Sequence, residues 1–191
     1  MLGLVLNRSF RLLCPPQRQA ATRCMQSRQM ESVVKNLTNF LNSGFEIIME
    51  SDLVSLLFHC YLTEYPKKIN NIHSDTRVFN SDGSHIDLVV GAITFKSKRP
   101  SIIPELLVEC KIFGNGFTSS QLSKRFAYLK DDLIKLNQIE HKVPKYIIVY
   151  DYCNYLNDLR EKELVQIRNN LNKNISIFII YKQKKYNFKI L

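Results

Sequence analysis

Leu106-Leu107-Val108-Glu109-Cys110-Lys111-Ile112-Phe113 reads as an apolar strand with two charges set into it. Side chains alternate faces along a strand, so Glu109 and Lys111 point one way and Cys110 the other. Charging one face of an apolar strand is costly unless the charges are paired or hold an ion. One strand earlier, His85-Ile86-Asp87-Leu88-Val89-Val90 repeats the pattern with Asp87. If the two strands are antiparallel neighbours, Asp87 and Glu109 converge on one spot. Two carboxylates there make a hard, oxygen-rich site suited to Mg²⁺ or Mn²⁺. A lysine beside them can orient a water or offset charge on a phosphate. These three residues are the minimal kit for metal-assisted phosphodiester hydrolysis. The plainer alternatives are a structural ionic cluster and a solvated strand edge.

The elements around this strand follow from pattern. Leu53, Val54, Leu56, Leu57, Phe58, Tyr61 and Leu62 recur at helical spacing, predicting a helix over 50–63 that Pro66 stops. A short strand is expected at Thr76–Phe79, then a turn at Asn80-Ser81-Asp82-Gly83 suited to a hairpin. His85–Phe95 and Ile102–Phe113 are apolar strands, joined by the basic loop Lys96–Pro100. Thr118, Ser119 and Ser120 offer caps for a helix whose apolar stripe is Leu122, Phe126, Leu129, Leu133 and Leu136. Lys124, Asp131 and Lys135 are expected on its opposite face. Lys145–Tyr150 is a buried-type strand, Leu159–Leu171 a polar helix and Ile175–Tyr181 a strand, with Tyr186–Leu191 returning as its hairpin partner. Hairpins followed by helical crossovers imply a mixed sheet flanked by helices.

The 191 residues allow one domain with a real core, and 45% hydrophobic content excludes global disorder. No stretch approaches the ~18 apolar residues of a membrane span, so no membrane partner is expected. The net charge of +10 favours polyanionic partners such as nucleic acid or an anionic membrane surface, and of these nucleic acid is the expected partner. Half of that charge sits in residues 1–30, where Arg8, Arg11, Arg18, Arg23 and Arg28 precede the first acid, Glu31. An Arg-rich, acid-free segment looks like a mitochondrial transit peptide; the alternative is an over-long start, with initiation at Met25 or Met30. Either way residues 1–30 are set aside as a basic extension, and 31–191 is taken as a single domain. Cys14, Cys24, Cys60, Cys110 and Cys153 are odd in number and form no C-x-x-C pair, which points to a reducing, intracellular compartment.

Residues 45–150 resemble the PD-(D/E)XK nuclease superfamily, which includes restriction endonucleases, repair nucleases and junction resolvases. The resemblance lies in the helix beginning Glu50-Ser51-Asp52-Leu53, the hairpin into Ile86-Asp87-Leu88-Val89, the strand Val108-Glu109-Cys110-Lys111, the amphipathic helix and the strand Lys145–Tyr150. It implies an α/β fold: a restriction-endonuclease-like αβββαβ core with a mixed central sheet, followed here by an extra helix and a strand or hairpin. It also implies a Mg²⁺-dependent (or Mn²⁺-dependent) nuclease, with Asp87 and Glu109 as metal ligands and Lys111 as the catalytic lysine. Glu50 matches an acid that many members place on the first helix near the metal; an ordinary helix-start acid is its alternative. Glu64 is a weaker rival. Ile86, not proline, precedes Asp87, and Gln121 is followed by Arg125 where one exonuclease branch has tyrosine.

DNA is favoured over RNA because most of that superfamily acts on DNA, and a homodimer is compatible with the reading. A non-catalytic DNA-binding or assembly module of the same fold is the alternative. Candidate nucleic-acid contacts are Lys96, Lys98 and Arg99 in the basic loop, and Lys182, Lys184 and Lys185 in a C-terminal run that ends at Lys189. The plainer reading of that run is a lysine-protected sheet edge. His85 lies two residues from Asp87 and is read as a strand-start histidine.

Overall fold

The computed structural model describes residues 15–81, 85–96, 99–171 and 175–191, with side chains from residue 29 onward. Helix α1 (Pro15–Asn42) and helix α2 (Glu50–Glu64) are followed by a 3₁₀ turn at Pro66–Asn71. Strands β1 (Ile72–Arg77), β2 (His85–Thr94) and β3 (Ser101–Phe113) come next. Then follow α3 (Ser119–Gln138), β4 (Lys145–Asp151), α4 (Asp158–Asn170), β5 (Ile175–Lys182) and β6 (Tyr186–Ile190). From α2 to β4 the order is αβββαβ, and α4, β5 and β6 complete the chain as expected.

The six strands form one sheet in the order β1-β2-β3-β4-β5-β6. β1, β2 and β3 pair antiparallel, β3–β4–β5 run parallel, and β6 returns antiparallel to β5. A parallel step cannot be made by a tight turn; α3 and α4 are the crossovers that make the two parallel steps. At the β2–β3 bulge, a Cβ on Gly91 would lie 2.2 Å from the Ile103 carbonyl oxygen, so a residue without a side chain is needed there.

Each face of the sheet has its own core. Leu88, Val90, Leu106, Val108, Cys110 and Ile112 pack under α1 and α2. Val89, Leu107, Phe113, Ile147 and Val149 pack with Phe126, Leu129, Leu133 and Leu136 of α3 and Leu164 of α4. Burying each large aliphatic side chain is worth ~1.5–3 kcal/mol, so the α3 stripe read from sequence is the anchor of the second face.

Three features differ from the sequence reading. α1 crosses residue 30, and Met30, Val33, Val34, Leu37 and Leu41 are all buried; setting the N-terminus aside hid a helix whose apolar spacing continues past that point. β1 lies at Ile72–Arg77, earlier than expected. It is a polar edge strand interrupted by Asp75 in the left-handed region (φ 43°), so alternation was too weak to place it. Lys135 does not face solvent, for the reason given below. Asp82 and Gly83 of the expected hairpin turn, and residues 1–14, lie outside the described residues. Among the described residues, no helix is long and apolar enough to cross a membrane, and Cys60, Cys110 and Cys153 are free thiols.

Candidate functional site

The β2–β3 ladder runs from Thr94↔Ser101 to Leu88↔Val108. One residue further, Asp87 turns its carboxylate onto β3, and Oδ2 accepts the Cys110 N–H at 2.7 Å. A side chain thus satisfies a backbone donor just past the last rung of the ladder. Cys110 lies between Glu109 and Lys111, so this bond brings Asp87 to the two charges on β3. Cys110 itself is packed in the core on the α1–α2 face, as alternation requires.

Glu109 is 2% exposed and Lys111 9% exposed, so both are held in the protein rather than in water. Their partners come from α3. Lys111 Nζ lies 2.9 Å from Asp132 Oδ2, and Lys135 Nζ lies 2.7 Å from Glu109 Oε1 and 3.4 Å from Asp132 Oδ1. Lys135 also donates to the His85 carbonyl at 3.3 Å, bridging α3 to the start of β2. Glu109 Oε1 and Asp132 Oδ2 are both buried, and the lysine ammonium groups are the partners they meet.

Glu50 closes the cluster from the other layer. Asp52 accepts the Ile48 and Met49 N–H groups at 2.9 and 2.8 Å, which fixes the first turn of α2. Glu50 then lies 3.3 Å from Lys111 Nζ and 3.4 Å from Arg125. Glu64, at the far end of α2, accepts from Ser32 and Asn36 and ties α2 to α1.

Burial dominates the electrostatics. It pushes the Glu109 carboxyl up to about 9, with Asp87 adding to the shift and Lys135 opposing it. Burial also raises Glu50, against the pull of Lys111. For Lys111 burial works against the charge, but Asp132, Glu50 and Asp87 outweigh it, and the ammonium is held more firmly than in water. Lys135 is likewise raised, Glu109 outweighing the cost of burial.

Two clefts adjoin at Glu50. One, of about 590 Å³, is lined by Glu50, Ser51, Val54, Ser55, Phe58, Ser74, Asp75 and Asp87, and is acidic. The other, of about 370 Å³, is lined by Glu50, Lys111, Phe117, Gln121, Lys124, Arg125 and Tyr128, and is basic. The donors Asp87, Glu109 and Glu50 are carboxylates and fit a hard divalent cation by type. The buried Glu109 Oε1 fits one as well. Among the described residues, no three His, Cys, Asp or Glu side chains already form an ion cage.

The other predicted residues fall elsewhere. Lys96 and Arg99 are exposed, beyond Thr94↔Ser101, eight residues along β3 from Glu109; at ~3.3 Å per residue that is ~26 Å from the cluster. Lys98 lies outside the described residues. Lys182, the last residue of β5, and Lys184 and Lys185 just beyond it are exposed, at the end of the sheet that β5 shares with Phe113 and Asp151. Lys182 lies over Tyr152 and Tyr186 at 5.4 and 5.0 Å, and Lys189 pairs with Glu161. His85 contacts Asp75 at 3.0 Å and Arg77 at 3.1 Å. Gln121 is engaged in a reciprocal cap with Thr118.

Sequence reading missed Asp132, and with it the inward turn of Lys135. The signal was present: Asp132 is three residues after Leu129 and four before Leu136, on the apolar stripe itself.

No family model matches the chain, and no curated protein matches it in sequence. A solved structure, that of Pyrococcus furiosus SfsA in complex with Ca²⁺, is similar at 14% identity with a TM-score of 0.34. The similarity covers 74% of this chain and 64% of that one.

Proposed function

We propose that the chain is a divalent-metal-dependent DNA endonuclease of the PD-(D/E)XK kind. One observation supports the reading: Asp87 bonds the backbone of β3 at Cys110, the residue between the buried Glu109 and Lys111. Asp87, Glu109 and Glu50 would hold the ion, Mg²⁺ or Mn²⁺. When bound, it supplies a Lewis acid for a phosphoryl oxygen and lowers the pKa of a water. Lys111, a cation kept in place by Asp132 and Glu50, orients the attacking water or balances charge on the phosphate. Asp132 and Lys135 position these groups from α3.

A second reading has an observation in its favour. Lys135 stands against Glu109 and Asp132 against Lys111, so each of these groups has a protein partner at contact distance. That arrangement suits a non-catalytic nucleic-acid-binding or assembly module.

The experiment is incubation of the purified full chain with supercoiled, linear, single-stranded and branched DNA, and with RNA, with and without Mg²⁺ or Mn²⁺. Metal-dependent, EDTA-sensitive nicking of DNA supports the endonuclease. Binding without cleavage in either metal supports the module, and cleavage confined to RNA moves the substrate class.

A further inference from the structure

The basic cleft beside Lys111 differs in chemistry from its acidic neighbour. Three cations, Lys111, Lys124 and Arg125, line it with the carboxylate of Glu50; Lys111 is paired with Asp132 and Glu50 and Arg125 with Glu50, so Lys124 is the cation most available to a ligand. Two aromatic rings are set among them. Arg125 lies over the Phe117 ring with its guanidinium 4.3 Å from the centroid, and Lys124 Nζ lies 5.6 Å from the Tyr128 centroid. Tyr128 is 46% exposed although it belongs to a helix whose other face is core.

The positions follow from α3. Gln121, Lys124, Arg125 and Tyr128 recur at three- and four-residue steps and share one face of its N-terminal half. The Thr118–Gln121 cap holds that end of the helix, and Phe117 precedes the cap. Cations beside ring faces suit a ligand that is anionic at one end and flat at the other. The acidic side chains of a polypeptide carry no aromatic face, and free phosphate needs no rings. A base within a duplex is already stacked on its neighbours, so an unpaired base is the one free to lie on the exposed Tyr128 ring without unstacking.

We propose that this cleft binds a single unpaired nucleotide of a nucleic-acid strand, its base against the exposed Tyr128 ring and its phosphate against Lys124 and Arg125, while Phe117 is packed on the core and holds the Arg125 guanidinium in place. The site rests on the proposed nuclease reading only for its purpose: it would seat the nucleotide next to the phosphate presented to Lys111. Its size, about 370 Å³, is at the lower end of small-molecule sites, one residue of a strand rather than several. Nucleic acid approaching this face meets cations here and carboxylates in the adjoining cleft, which fixes the side on which the strand enters.

The test is fluorescence anisotropy of the full chain with a short labelled single-stranded DNA and its RNA counterpart, in EDTA so that no cleavage intervenes. An otherwise identical strand carrying abasic positions is the comparison. Tyr128→Ala is expected to weaken binding of the normal strand roughly 5- to 150-fold, the range for loss of one base–aromatic stack. Tyr128→Phe should retain it. Lys124→Ala should lower the salt slope by ~0.7, one single-strand phosphate contact. The abasic strand should bind the wild type weakly and be indifferent to Tyr128→Ala. Unchanged affinity in both Tyr128→Ala and Lys124→Ala, or equal losses for normal and abasic strands, would overturn the proposal. Circular dichroism of each variant separates unfolding from loss of contact. Because the readout is binding without metal, absence of cleavage would defeat the nuclease reading alone and leave this site standing.

Discussion

Asp132 of α3 places its Oδ2 2.9 Å from Lys111 Nζ of β3, both side chains about nine-tenths buried. A strand and the helix that follows it in the chain thereby hold one charge pair inside the second core. The lysine stays an ammonium and stays aimed, because Glu50 holds it from the opposite side at 3.3 Å.

Removing that brace should be costly but survivable. Asp132→Ala strands neither charge completely, since Lys111 keeps Glu50. The expected loss is ~1–3 kcal/mol, below the ~3–5 kcal/mol of a buried charge left alone. Urea unfolding measures it; a variant as stable as wild type would mean the pair adds nothing to the fold.

Asp87→Asn, Glu109→Gln and Lys111→Met should each lower metal-dependent cleavage by ~10²-fold or more while leaving a folded protein. Lys111→Met should still bind Mn²⁺, because its role is toward water and phosphate. Cleavage rates with plasmid DNA, alongside circular dichroism, give the answer. Loss of activity accompanied by unfolding in all three would make the charges structural.

Lys135 and a divalent cation compete for Glu109. Lys135→Met is therefore expected to enlarge the rise in melting temperature produced by millimolar Mg²⁺, and to lower the Mg²⁺ concentration at half-effect. A smaller rise than in wild type would show that Lys135 supports the ion.

Lys145 carries a pH dependence of its own. Its side chain is 2% exposed and donates to the Ile139 carbonyl, and burial lowers its pKa from the ordinary lysine value. Between that lowered value and ~10.5 the unfolded chain binds the extra proton, so stability rises with pH across this window and is lost as pH falls through the folded value. Lys145→Met should flatten that rise. Guanidinium unfolding of both proteins at pH 7.5 and at pH 10 reads the difference, and parallel slopes would refute it.

Salt dependence separates the two basic segments. Neutralising Lys182, Lys184 and Lys185 to Gln should reduce the log–log slope of duplex binding by up to ~3, at ~0.9 per phosphate contact. Lys96→Gln with Arg99→Gln should change it less, since their loop lies at the other end of β3. The reverse order would put the DNA path along the β2–β3 loop.

Periodicity alone determined the layers. Alternation in His85–Val90 and Leu106–Phe113 placed Asp87, Glu109, Lys111 and Cys110 on their faces, and the stripe from Leu122 to Leu136 placed α3 on the sheet, because burial of apolar area is written locally. Tertiary structure alone decided which charges meet. Asp132 was hidden by its leucine neighbours, Lys135 swings inward to reach Glu109, and Lys96 and Arg99 are carried away from the site by the length of β3. A hydrophobic residue needs only a face, and the sequence pattern states which; a buried charge needs a particular partner at contact distance, and that partner is chosen by how the elements pack.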